Sequence, residues 1–344
     1  MKDNLKSIGL NEEYDISVTI CTYHPVKEKL FETIDSILKQ EDVHLQVIIA
    51  DDGSETDYFD DAKRHMEHQG FYSYKFVKNK TNKGTVYNFL NAVSACDSNY
   101  IKAISPGDML LSAKTMRRWL DAVIEAGYEW SFGDAVYYER TPDGRMNFLE
   151  KTAHPRDVSV YIKKDFHHCR INYLINKDNC LGAAILLTKR AAQKYLNIIA
   201  GKIIYTEDNI FYLMMLDGLV PLYYHDAPVL YYEFGSGIST AGNTVWSERI
   251  TKDRNAVFDI ILQQCSDLLT NGFIENKDIY NWGFTAIGDS QEELELARRV
   301  KRAIIINSRQ NKIIKRIAKI FNMDMFTFYI QTKIKRRKTT TIWD

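Results

Sequence analysis

No run in this chain reaches the roughly 18 to 20 uncharged apolar residues that a membrane-crossing helix needs. The opening segment MKDNLKSIGLNEEYD also lacks the apolar stretch of a secretion signal, so a cytoplasmic protein is expected. The five cysteines, Cys21, Cys96, Cys169, Cys180 and Cys265, are odd in number and scattered, which excludes a disulfide framework and any C-x-x-C metal pattern. One local cluster of metal-ligand types exists, His167-His168-Cys169, but three adjacent residues cannot all face one ion. With 6 prolines and 17 glycines in 344 residues, disorder is a poor starting point, and no internal repeat points to a solenoid. Neither G-x-x-x-x-G-K-[ST] nor a G-x-G-x-x-G after the first strand is present, which argues against P-loop enzymes and ordinary dinucleotide dehydrogenases.

What is present is an ordinary globular composition, 45% hydrophobic and 26% charged, long enough for one large domain with an appendage. The 45 basic and 45 acidic residues cancel overall but not locally, because residues 301–344 hold twelve Lys or Arg against two Asp. A basic tail on an acidic body suggests an anionic surface as partner. In NKIIKRIAKIF, Ile313, Ile314, Ile317, Ile320 and Phe321 share one helical face and Lys312, Lys315, Arg316 and Lys319 the other. Such a helix fits shallow insertion into an anionic membrane leaflet, and equally fits docking of its isoleucine face on the main domain. The acidic body argues against nucleic acid.

The first half alternates strands and helices. DISVTICTY and LQVIIADD are apolar, β-branched runs suited to strands covered on both faces, and the segment between them sets Leu30, Ile34, Ile37 and Leu38 on one stripe. A helix near Tyr58 to His68, the strand YSYKFVKN, the helix GTVYNFLNAVSAC and the strand YIKAIS continue the rhythm. The expected fold class is α/β, a mostly parallel sheet with right-handed crossovers and helices on both faces. Ligands of such sheets gather at the carboxyl ends of the strands. Three polar clusters are expected there: Thr22-Tyr23-His24, Asp51-Asp52-Gly53-Ser54 and Ser105-Pro106-Gly107-Asp108.

Farther on, WSFGDAVYYER reads as extended, residues 141–179 show little periodicity, and CLGAAILLTKRAAQKYL reads as strand into helix. IYTEDNIFYLMMLDG reads as a helix capped by Thr206, and from about Glu248 the chain turns helical. Each polar cluster has two readings on residue chemistry alone. A carboxylate at a strand end can accept from a ribose or a base, or can simply close a turn. Glu207 and Asp208 can take a proton from a substrate, or merely complement a helix dipole. Asp134, Gly182 and FGSGIST can line an acceptor side, and Trp130 or Tyr232 can stack on sugars, although packing is the default for aromatic residues in a chain with 21 tyrosines.

The order VTICTYHP, VIIADDGSETD, NKTNKGTVYNFLNAV, AISPGDMLL, YTEDNIFYLMM resembles glycosyltransferase family 2 over about residues 14 to 235. The resemblance implies a GT-A fold, with a glycosyltransferase domain over 1–245 and a helical C-terminal region with its basic amphipathic tail over 246–344. It implies transfer of a sugar from a nucleotide-diphosphate sugar to a saccharide or lipid-linked acceptor of surface polysaccharide synthesis, at the inner face of the cell membrane. By resemblance, Thr22, Tyr23, Asp52, Asn82, Gly84 and Gly107 bind the nucleotide-sugar. Glu207 and Asp208 are catalytic, with Asp208 as the base. The family's Asp-x-Asp-Asp metal signature is thinned here: Ser105 and Gly107 replace its first two acids, and Asp108 alone is left to hold a divalent ion, Mn²⁺ or Mg²⁺. Magnesium commonly uses one or two protein carboxylates, so one aspartate can suffice.

Overall fold

A computed structural model describes residues 13–153, 159–164, 169, 180–237 and 244–264. The strands β1 (Ile16–Thr22), β2 (Leu45–Asp51), β3 (Tyr74–Lys78) and β4 (Tyr100–Ile104) are parallel neighbours, in the order β4-β1-β2-β3. They are joined by helices α1 (Lys27–Leu38), α2 (Phe59–His68) and α3 (Thr85–Ala95). Every residue of β2 is buried, with Ile48 in the core on one face and Ile49 in the core on the other. That placement is why the strand reads as a continuous apolar run rather than an alternating one. Each such isoleucine contributes roughly 1.5–3 kcal/mol by leaving water.

Beyond β4, the short β5 (Met109–Leu110) and helix α4 (Thr115–Ala126) lead to β6 (Trp130–Gly133) and β7 (Ala135–Arg140). WSFGDAVYYER is thus two strands in two sheets: β6 joins the main sheet and β7 a second one. The hinge is Asp134, which is buried and accepts a hydrogen bond from the Tyr223 hydroxyl at 2.8 Å. After β8 (Met146–Ala153) and the one-turn α5 (Ser159–Ile162), β9 (Ile185–Thr188) enters the main sheet antiparallel to both β4 and β6. It runs into α6 (Lys189–Ile199), where the Thr188 side chain caps the Ala191 N–H. Helix α7 (Ile210–Leu216) and the strands β10 (Leu222–Tyr224) and β11 (Leu230–Glu233) follow. The main sheet is β10-β6-β9-β4-β1-β2-β3 and the second is β5-β11-β7-β8.

Trp130 is fully buried, stacked on Phe211 with ring centroids 5.0 Å apart. It is a core residue and not a sugar platform. Tyr232 packs on Tyr137, with ring centroids 5.2 Å apart. The last described element is α8 (Thr244–Gln264), somewhat earlier than the helical reading from Glu248. Among the described residues no helix is long and apolar enough to cross a membrane. The basic amphipathic segment and the His167-His168 pair lie outside the described residues.

Candidate active site

The polar clusters after β1, β2 and β4 come together at the carboxyl ends of the parallel strands, as the alternation predicts, and most of their carboxylates are held by the protein itself. Asp51 is fully buried and accepts from Thr22 Oγ1 at 2.9 Å, Ser54 N at 2.7 Å and Ser54 Oγ at 2.7 Å. Thr22 is therefore committed to shaping the turn. Tyr23, next in the chain, is 50% exposed, with its ring against His24. It is the aromatic surface at this mouth that a nucleotide base can meet.

Asp52 is buried and closes a second loop. Its Oδ1 accepts from Asn79 Nδ2 at 2.8 Å and Lys83 N at 2.9 Å, and its Oδ2 accepts from Gly84 N at 2.7 Å. The exposed Asn82 also accepts from Gly84 N, at 3.1 Å. Gly84 has φ of +91°, and a side chain there would meet the Ile204 carbonyl oxygen at 2.5 Å. The Ile204 carbonyl in turn accepts from Val86 N at 3.1 Å. The loop after β3 is thereby tied on one side to Asp52 and on the other to the segment leading into Glu207-Asp208.

That segment differs in detail from the expected capped helix. Glu207–Asn209 forms a single 3₁₀ turn before α7, and Thr206 does not cap it. Instead, Thr206 Oγ1 points to Asp253 on α8, at 3.3 Å. Asp208 is exposed and Glu207 partly buried, and Gly182 lies under both. Burial, then the charge of Asp208, then that of Asp253, push the Glu207 carboxyl well above the ordinary carboxylate range. Burial, with Glu207, Cys96 and Asp52 adding to it, likewise pushes up the thiol of Cys21, the penultimate residue of β1. The acid pair therefore faces the donor-side turns. The shift belongs to the pair, of which Asp208 is the exposed member.

In the AISPGDMLL turn the acid is also tied into the fold. Asp108 is only 3% exposed, and its Oδ1 accepts from the Glu233 N–H at 3.0 Å. Gly107 has φ of +100°, and a side chain there would collide with the Glu233 carboxylate. Its N–H donates to Thr33 Oγ1 at 3.0 Å, and its carbonyl accepts from the Tyr138 hydroxyl. Glu233 is itself buried against Lys29 at 2.7 Å and Arg140 at 3.3 Å. Asp108 Oδ1 accepts from the backbone and Glu233 Oε1 faces two cations, but Glu233 Oε2 is buried with no hydrogen-bond partner among the described residues, so Asp108 and Glu233 are the carboxylates here that would hold a divalent ion. Among the described residues no three His, Cys, Asp or Glu side chains form a cation site. Asp108 locks β5 to β11, a role a turn aspartate can fill without metal.

Asp108 carries its own pH signature. Burial raises its pKa from the ordinary 3.8 to about 7, opposed by the Glu233 N–H and by the fully buried Lys102. The folded state then binds more protons than the unfolded chain between those two values, so this group lowers stability as pH rises across that window. Asp108→Asn is expected to flatten the dependence, its melting temperature gaining on wild type between pH 5 and pH 7. Asp108→Ala, which orphans the Glu233 N–H, is expected to cost about 1–3 kcal/mol. Thermal melts of the three proteins at both pH values check this.

Asn79, Glu233 and Asp253 are site residues that sequence reasoning missed. Asp253 carried a signal: with Val257 and Ile260 it falls on the buried face of α8, where a carboxylate needs donors.

A seven-stranded, mostly parallel sheet with acidic turns at its carboxyl edge and a carboxylate pair on a following helix start is the architecture of the GT-A fold. Residues 17–181 match the family described as Glycosyl transferase family 2. Among solved structures, TarS 1–349 of S. aureus in complex with UDP-GlcNAc is similar at 12% identity, over 90% of this chain and 92% of that one, with a TM-score of 0.52. The mannosyltransferase PcManGT from Pyrobaculum calidifontis in complex with GDP-Man and Mn²⁺ is similar at 13% identity, over 95% of this chain and 88% of that one, with a TM-score of 0.51. No curated protein matches the chain.

Proposed function

We propose that the chain is an inverting glycosyltransferase, moving a sugar from a UDP-sugar to a saccharide or lipid-linked oligosaccharide acceptor of a surface polysaccharide. The observation that carries this reading is the placement of the exposed Asp208 beside the partly buried Glu207, on a turn tied through Ile204 and Gly84 to the Asp52 loop. Tyr23 flanks the base, and the 79–84 loop held by Asp52 shapes the donor side. Asp208 takes the proton of the acceptor hydroxyl as its oxygen bonds to the anomeric carbon. The bond from that carbon to the diphosphate breaks, and its electron pair leaves with the nucleoside diphosphate. The UDP-GlcNAc complex of TarS supports a UDP donor, and the GDP-Man complex keeps GDP-sugars in the test. No step of this reading runs through a metal.

The test is nucleotide release from UDP-, GDP- and dTDP-sugars with membrane lipid extract as acceptor, in Mn²⁺, Mg²⁺ and EDTA. Acceptor-stimulated release supports the reading. Donor binding without release moves the chain to a non-catalytic sugar-nucleotide-binding role, the alternative that the thinned AISPGDMLL turn favours. The basic tail adds a peripheral association with the inner face of the membrane. The full chain is expected to sediment with anionic vesicles at low salt and to be released at high salt.

A further inference from the structure

Helix α8 follows the matched family 2 segment, yet it carries a carboxylate into the machinery. Asp253 is 4% exposed. Its Oδ1 accepts from Ile204 N at 3.1 Å. Its Oδ2 accepts from Tyr205 N at 2.6 Å, Thr206 N at 3.1 Å and Thr206 Oγ1 at 3.3 Å. Three successive backbone N–H groups thus converge on one side chain from a distant helix, immediately before Glu207-Asp208. The same helix clamps the loop from outside: the Trp246 ring meets Tyr205 edge-on at 5.2 Å, and the Arg249 guanidinium lies 5.5 Å from Tyr205 and 4.8 Å from Trp246. The far side of the loop is fixed by Gly84 and Val86 N against the Ile204 carbonyl.

We propose that Asp253 is a positioning residue for the Glu207-Asp208 pair, making α8 an integral part of the transferase site rather than an appendage to it. Burying a carboxylate is costly unless donors surround it, and here every donor comes from the three residues that set the direction of the following turn. Asparagine is isosteric but must turn an NH₂ toward either the Ile204 N–H or the Tyr205 and Thr206 N–H groups. The turn then shifts relative to the donor-side loops. A displacement near 1 Å at a reacting group costs about 10²-fold in rate.

This inference rests on the transferase reading, and the experiment separates the two. In Asp253→Asn, kcat for acceptor-stimulated release is expected to fall about 10- to 100-fold, with donor KM held within about threefold. The alkaline side of the pH–rate profile is expected to move to lower pH. Asp253 is one of the negative charges holding the proton on Glu207, along with Asp208 on the same turn, while Cys21 faces it from β1. Lys252→Ala, an exposed change on the same helix, is expected to leave all three readouts unchanged.

A second arm needs neither turnover nor a stable variant: in the wild-type protein, amide exchange at Ile204, Tyr205 and Thr206 is expected to be as slow as in α8. Unprotected amides there overturn the proposal, as does an Asp253→Asn protein with lowered melting temperature but wild-type kcat and pH profile. Protected amides in a protein with no transferase activity overturn the functional reading and leave the structural tie standing.

Discussion

Asp208→Asn is expected to lower acceptor-stimulated release by about 10²- to 10⁴-fold, the range by which a positioned general base accelerates such a transfer. Donor affinity is expected to stay within about twofold, because the change removes an interaction that matters only as the acceptor hydroxyl loses its proton. Glu207→Gln is the informative companion. Burial and the neighbouring acids keep a proton on Glu207, so a neutral amide imitates its state. The Gln variant is expected to retain most of the activity at neutral pH. It is also expected to lose the part of the alkaline decline that comes from ionising Glu207 beside Asp208. Isothermal titration with UDP and a radiochemical transfer assay on the same preparations check both. If Glu207→Gln falls as far as Asp208→Asn, the roles of the two acids are exchanged.

The alternation of β-branched strands and amphipathic helices was legible in the sequence because strands covered on both faces must be apolar throughout, as β2 shows residue by residue. The position of the site was legible for a related reason, since polar turns after such strands all open at one edge. The partners of each carboxylate were not legible. DDGS has the same letters whether its acids face a ribose or the Ser54 and Gly84 N–H groups, and only the fold shows that they do the latter. AISPGDMLL likewise shows a lone acid without revealing that Glu233, from more than a hundred residues later and paired with Lys29 of α1 and Arg140 of β7, occupies the space beside Gly107. WSFGDAVYYER hid a change of sheet at Asp134 because both strands carry aromatic residues and only one residue separates them. Asp253 was the exception, a charge at apolar spacing, and such a charge is the sequence trace of a tie between distant segments.

Gly84 is the narrowest point of that tie, and Gly84→Ala is expected to be among the most damaging single changes to the chain. Its φ of +91° with ψ of 166° lies where essentially only glycine rests without strain, costing a side chain about 1–3 kcal/mol. The methyl group would also press into the Ile204 side chain and within 2.5 Å of its carbonyl oxygen. That carbonyl is held by Val86 N on one side, and the adjoining amides by Asp253 on the other, so neither partner can yield cheaply. Gly70→Ala provides the contrast. Gly70 also has positive φ, +76°, but open space around it, so its change is expected to cost only about 1 kcal/mol. Urea titration of the two variants measures the difference: the excess loss in Gly84→Ala combines its more restrictive backbone conformation with the overlap. Relief of that overlap must push the Glu207-Asp208 turn away from the Asp52 loop. The surviving folded fraction of Gly84→Ala is therefore expected to bind UDP more weakly and to transfer more slowly, whereas Gly70→Ala keeps both. Equal losses in the two variants would mean that the contact between Gly84 and Ile204 does not couple donor loop to acid pair.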